Sequence, residues 1–123
     1  MDLVSSSRED IEIPPGETRL IPTGISLSIP PGYEAEIRPR SGLALKHKIT
    51  LLNSPGTVDS DYRGTVSLIV TNFGGRAFVV TRGMRLAQMV IQEIVRAELE
   101  VVSELDPTER SVGGFGHTGH GPA

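Results

Sequence analysis

Two stretches of this sequence carry side chains that could do chemistry. The first is Arg38-Pro39-Arg40-Ser41-Gly42-Leu43-Ala44, where two guanidiniums and a hydroxyl precede a glycine. Guanidinium forks match phosphate oxygens, and the free N–H groups of a helix start capped by Ser41 would add to the attraction. The same residues fit an ordinary strand–turn–helix junction with surface arginines, since capped helix starts are common. The second stretch runs from Asn53-Ser54 through Arg63-Gly64. In it Pro55-Gly56 and Arg63-Gly64 bracket two carboxylates, Asp59 and Asp61, and a phenol, Tyr62. A carboxylate only accepts hydrogen bonds and can take a proton from water. Two acids two residues apart could also hold a metal, but the further oxygen ligands of a calcium loop are not evident nearby. Asp and Gly equally favour a plain hairpin turn.

The elements that must position these residues read as strands. With 14 Gly and 9 Pro punctuating short apolar segments, the texture is that of an all-β sandwich or barrel. Ile25, Leu27 and Ile29 alternate with Ser26 and Ser28, and Pro30-Pro31-Gly32 then forces a turn. Tyr33, Ala35 and Ile37 resume the alternation, and 65–73 is a β-branched strand that ends at Gly74-Gly75. Residues 84–102 fit period two on Met89, Ile91, Val95, Ala97, Leu99 and Val101, and a helical period nearly as well; their β-branched side chains favour strands. One short helix is expected over 43–46. In 110–123, five of fourteen residues are Gly, too few apolar groups to offset the entropy of ordering, and a flexible arm follows. Phe115 stands alone there between Arg110 and His117, an aromatic and two basic groups suited to closing over a ring and a phosphate. The division expected is a β domain over 1–109 and a glycine-rich arm over 110–123.

Composition narrows the classes. A chain of 123 residues fits one domain whose modest core would gain from oligomerisation. It holds no Cys and no Trp, so disulfides and thiolate metal sites are excluded and the core rests on Ile, Leu and Val. A net charge of −3 argues against a dedicated nucleic-acid binder but not against a local basic pocket. No apolar run approaches the ~20 residues of a membrane span, and the N-terminus lacks signal-peptide character, so a cytoplasmic protein is expected.

The two stretches resemble the deoxyuridine triphosphatase family, whose five ordered motifs all find a counterpart. Met1-Asp2-Leu3 looks like the end of the first and Pro39-Arg40-Ser41-Gly42-Leu43-Ala44 matches the second. Gly56-Thr57-Val58-Asp59-Ser60-Asp61-Tyr62-Arg63-Gly64 matches the third, and Arg85-Leu86-Ala87-Gln88 the fourth. Residues 110–119, from Arg110 to Gly119, resemble the fifth. The second and third together are highly specific.

The resemblance implies a jelly-roll-like subunit and a homotrimer with three sites, each built from neighbouring subunits and closed by a glycine-rich arm. It implies hydrolysis of dUTP to dUMP and pyrophosphate, which limits uracil in DNA and supplies dUMP for thymidylate synthesis. Asp59 would deprotonate the water attacking the α-phosphorus and hold the ribose 3′-OH. Tyr62 would pack under the sugar and exclude a 2′-OH. Asn53 and the backbone of Gly56, Thr57, Val58 and Asp59 would read the uracil edge, with Ser67 adding a contact. Arg40, Ser41, Gly42 and Gln88 would hold phosphate oxygens. Arg110, Phe115, Gly116 and His117 would close over the nucleotide, with Phe115 stacked on the uracil. Mg²⁺ would sit on the triphosphate, with Asp2 touching its shell through water.

Other residues carry plainer expectations. Arg85 is expected to be structural, paired with Asp61, and His47 to face solvent. His117 and His120 lack a third ligand and are not expected to bind metal. Two departures from the family pattern stand out. His117 replaces the usual Ser of the fifth motif, which implies altered affinity. Met1 directly precedes Asp2 where the family has an upstream strand and an Ala-Gly pair, as expected of a chain that starts inside the natural protein. Two rivals remain. The related dCTP deaminases lack the Asp-x-Asp-Tyr loop and use a catalytic Glu, and a β-sandwich interaction module would not need the Arg-Ser-Gly cradle.

Overall fold

A computed structural model describes residues 1–116, 118–119 and 121–122. The expected texture of short strands is what forms. In chain order they are β1 (Asp2–Val4), β2 (Ile11–Ile13), β3 (Thr18–Ser26), β4 (Tyr33–Pro39), β5 (Ile49–Leu51), β6 (Gly56–Val58), β7 (Thr65–Asn72), β8 (Phe78–Val80) and β9 (Arg85–Glu93). One helix, α1 (Ser41–His47), separates β4 from β5.

The strands pair antiparallel in three sheets, ordered β1-β9-β4-β6, β3-β7-β5 and β2-β8. The period-two reading of the sequence becomes burial. Along β4, Ala35 and Ile37 are buried and Arg38 is exposed, but Tyr33, expected on the buried face, is 41% exposed at the start of the strand. The alternation of Ile25, Leu27 and Ile29 persists although β3 ends at Ser26, because Ile29 still turns inward. The core draws on all three sheets: Leu3, Ile37, Leu86 and Met89 from the first, Ile21, Leu68 and Val70 from the second, Ile13 and Val80 from the third. Removing such side chains from water is the main driving force for closing the layers.

One buried polar side chain joins several elements through its hydrogen bonds. Asn72 is fully buried, and its amide nitrogen donates to Ile13 O and Arg76 O at 2.8 Å each. Its side-chain oxygen accepts from Gly74 N at 2.8 Å, so this one side chain ties β2, β7 and the following turn together.

Two local expectations need correction. The helix begins at Ser41 itself, and Arg40 holds the cap position with an extended backbone and no side-chain cap bond, so Ser41 is not the cap. At the other end Lys48 adopts a left-handed conformation, and its N–H bonds the carbonyls of Ala44 and Leu43. The ambiguous 84–102 segment is a strand only as far as Glu93; 94–100 carry neither helix nor strand. Of the apolar face expected there, Met89 is buried, but Ile91 is 51% exposed, Val95 94% and Leu99 92%. The described residues contain no helix long and apolar enough to cross a membrane.

Candidate active site

The hairpin from β6 to β7 builds the first half of the site. A backbone bond from Tyr62 N to Asp59 O at 3.2 Å closes the turn, as Asp and Gly at these positions favour. Tyr62 Oη donates to Thr65 O at 3.1 Å, which fixes the ring over the hairpin. Gly64 is required beneath it, because a Cβ there would overlap the Tyr62 phenol. Thr57, Val58, Asp59, Tyr62, Thr65, Val66 and Ser67 line a cavity of about 160 Å³. Asp59 stands exposed at its rim. Asn53 lies at the base of the hairpin after a cis Ser54–Pro55 bond follows it, and its side-chain nitrogen would be 3.3 Å from a Cβ on Gly56. That proximity, and Ile37 Cβ at 3.2 Å, make glycine the residue that lets β6 pack so closely on β4.

The second half forms where β1, β9 and the end of β4 meet. Asp2 sits opposite Gln88 in the β1–β9 ladder, and Arg38 opposite Gln88 in the β4–β9 ladder. Arg40 Nη1 lies 2.9 Å from Asp2 Oδ2, and Arg85 Nη1 lies 3.7 Å from the same oxygen. Gln88 Nε2 donates to Asp2 Oδ1 over a long 3.4 Å. Partial burial alone would raise the Asp2 carboxyl pKa. The Gln88 bond and the two guanidiniums outweigh it and hold the pKa below the ordinary 3.8. Arg85 therefore pairs with Asp2, which corrects the expected partner, Asp61. Arg40 Nη1 is buried and, ion pair apart, has no hydrogen-bond partner among the described residues, a donor left over for an oxygen from outside. Arg40, Gly42, Leu43, Lys46, His47 and Arg85 line a cavity of about 280 Å³. Ser41 lies beside it as the exposed first residue of α1.

The two cavities share no lining residue. Val58 pairs with Ala35, and Arg40 lies five residues further along the same extended chain. At about 3.4 Å per residue that is roughly 17 Å, and Asp59 follows Val58 on the far side. One chain thus brings Asp59, Tyr62, Thr57, Val58 and Ser67 together, and Asp2, Arg40, Gly42 and Gln88 together, but not one set with the other. Arg110, Phe115 and Gly116 join neither: all three are exposed, and Arg110 Nε donates to Gly113 O at 2.8 Å. His117 lies outside the described residues.

Thr65, Val66, Lys46 and Arg85 line these cavities without having been singled out as substrate contacts. Period two gave a signal for Thr65, since it shares a strand face with Ser67. No group of three or more His, Asp or Glu side chains able to hold a metal occurs among the described residues. The donor set, one carboxylate already engaged by two guanidiniums, fits a cation carried by the substrate's phosphates and met through water.

An antiparallel jelly roll that offers a carboxylate and an aromatic ring at one cavity and a guanidinium cluster at another is equipped for hydrolysis of a phosphorylated ring compound. The dUTPase family profile matches residues 2–119, and the chain belongs to the dUTPase family of hydrolases. It is 60% identical over 114 residues to the deoxyuridine 5′-triphosphate nucleotidohydrolase of Gloeothece citriformis, covering 93% of this chain and 79% of that protein. It is 58% identical over 119 residues to that of Caldanaerobacter subterraneus, covering 97% of this chain and 80% of that protein. Among solved structures, a mutant dUTPase of Staphylococcus bacteriophage 80alpha with dUpNHpp superposes with a TM-score of 0.85 at 25% identity, covering 97% and 85% of the two chains. A mutant dUTPase from phage phi11 of S. aureus, described with a structural Mg(II) ion, gives 0.74 at 26% identity, covering 84% and 82%.

Proposed function

We propose that this dUTPase hydrolyses dUTP to dUMP and pyrophosphate with Asp59 as general base, at a site completed by neighbouring copies of the chain in a homotrimer. The observation that carries the reading is the hairpin cavity. It sets a carboxylate, a phenol ring tethered through its hydroxyl to Thr65 O, and backbone groups of a strand end around one hollow of about 160 Å³.

In this reading the main chain from Gly56 to Asp59, with Asn53 and Ser67, hydrogen-bonds the uracil edge, and a buried polar edge of this kind rejects a mismatched base. Tyr62 packs beneath the sugar and leaves no room for a 2′-OH. Asp59 accepts a proton from water as its oxygen bonds the α-phosphorus. The bond from that phosphorus to the bridging oxygen then breaks, and the leaving pyrophosphate carries its charge toward Arg40, Ser41, Gly42 and Gln88. Mg²⁺ on the triphosphate, with Asp2 reaching its shell through water, would neutralise phosphate charge. Arg110, Phe115, Gly116 and His117 belong to an arm, 110–123, that closes over the nucleotide of another copy and excludes water.

Two features support assembly. The half-sites lie apart on one chain, and Ile91, Val95 and Leu99 are left uncovered, an apolar surface of the kind that oligomers bury. The setting proposed is the cytoplasm. The test is to incubate the protein with dUTP or dCTP and Mg²⁺ and measure pyrophosphate and ammonia. Pyrophosphate from dUTP alone is expected. Ammonia from dCTP would assign the chain to deamination, and neither product would leave it a binding module.

A further inference from the structure

A further cavity shares only Lys46 and His47 with the one beside Arg40 and no residue with the hairpin cavity. It encloses about 580 Å³ between the last turn of α1 and the turn joining β7 to β8, and no carboxylate lines it. Lys46, Lys48 and Arg76 converge on it, and none of the three forms an ion pair among the described residues. In a chain of net charge −3 this is a local reversal of sign. One ammonium hydrogen of Lys48 goes to Leu45 O at 3.1 Å, which leaves two donors for a ligand.

The walls are built rather than incidental. Gly74 packs so tightly on α1 that a Cβ would stand 2.8 Å from His47 O, and its N–H is held by buried Asn72. Asn72 also anchors the carbonyl of Arg76, so the buried amide fixes the whole turn. Phe78 packs against the core and supports the exposed His47 ring, with centroids 5.4 Å apart and planes tilted by 53°. A size within the roughly 300–1,000 Å³ of small-molecule sites, three free cations and a ring wall together describe a receptor for a phosphate-bearing ring compound.

We propose that this cavity is a second binding site, separate from catalysis, for a phosphate-bearing small molecule of nucleotide size. The cations take the phosphoryl oxygens and the His47–Phe78 wall takes a ring. Lys46 and His47 also border the cavity beside Arg40, so the two anion-attracting surfaces meet across α1.

The test keeps the two apart. The full-length protein is saturated with dUpNHpp to fill the catalytic site, then titrated calorimetrically with inorganic pyrophosphate and, separately, with ADP. One further equivalent per chain is expected, weakened by added salt. The Lys48→Gln/Arg76→Glu variant should lower its affinity roughly tenfold or more while kcat/KM for dUTP stays unchanged. ADP tighter than pyrophosphate assigns the ring wall a role; pyrophosphate equal or tighter removes the ring from the proposal. Failure of dUpNHpp to bind would count against the catalytic reading alone. No further equivalent with either probe, or one that the folded variant binds equally well, overturns the second site.

Discussion

The hairpin cavity and the Asp2–Arg40–Gln88 corner prepare for a ligand in opposite ways. At the hairpin the shape exists before anything binds. Tyr62 is held by Thr65 O and by the space Gly64 leaves, and the strand end is fixed by its pairing with β4. At the corner the charges exist but are occupied with each other: two guanidiniums and an amide share one carboxylate. The hairpin can therefore select by fit, and the corner by the arrival of an oxygen anion that Arg40 has a spare buried donor to meet. Roughly 17 Å of strand separates them, and in the proposed homotrimer another copy would supply one of the two.

Changes on the hairpin should break this contrast most severely. Asp59→Asn should retain dUTP binding, since the cavity is unaltered, and lose roughly 10²–10⁴-fold in kcat. Steady-state turnover beside dUpNHpp binding checks both; near-native kcat would remove Asp59 as the base. Deleting 110–123 should cost on the order of 10²-fold in kcat through lost closure and positioning, with the melting temperature unchanged because none of the described residues there belongs to the core. A truncated enzyme at the full-length rate would make the arm a passive tail.

A smaller effect is expected from Gly64→Ala. The new methyl must displace the Tyr62 phenol, so kcat/KM for dUTP should fall by roughly tenfold with little loss of stability. Discrimination against UTP should weaken along with it, and unaltered discrimination would show that the ring does not gauge the sugar.

At the corner the expected change is the smallest. Asp2 has its carboxyl pKa lowered in the folded state, so its contribution to stability is present above about pH 3.8 and is lost as pH falls through the lowered value. Asp2→Asn should thus lower the melting temperature of the unliganded protein slightly at neutral pH and not at the acid end. Equal losses at both would take the ion pairs out of the stability balance.

What the sequence made legible follows from which interactions are local. The alternation of Ala35 and Ile37 along β4, the β-branched strand β7, the turn at Pro30-Pro31-Gly32 and the hairpin turn after Asp59 depend on neighbours within a few residues, and each took the expected form. The partner of Arg85 did not. Asp2 is remote in sequence and is brought to it only by the β1–β9 register, whereas Asp61 was merely the nearest available acid in the motifs. The end of β9 was hidden for a related reason. Residues 94–102 keep a strand-like apolar pattern, but among the described residues they join no strand ladder, and only Ile94 N, bonded to Gly32 O at 2.9 Å, continues the β4 side. The gap between the half-sites was equally invisible, because motif order says nothing of strand register.

The central claim, that one chain's hairpin works with another chain's corner, is tested most directly by mixing two defective variants. Asp59→Asn and Arg40→Ala are each assayed alone, then unfolded together in equal amounts, refolded and assayed for pyrophosphate release from dUTP. If the site is shared, random reassembly should pair an intact hairpin with an intact corner in roughly a quarter of the sites and restore activity far above either parent. A mixture that refolds into oligomers yet remains no more active than its parents would contradict the account.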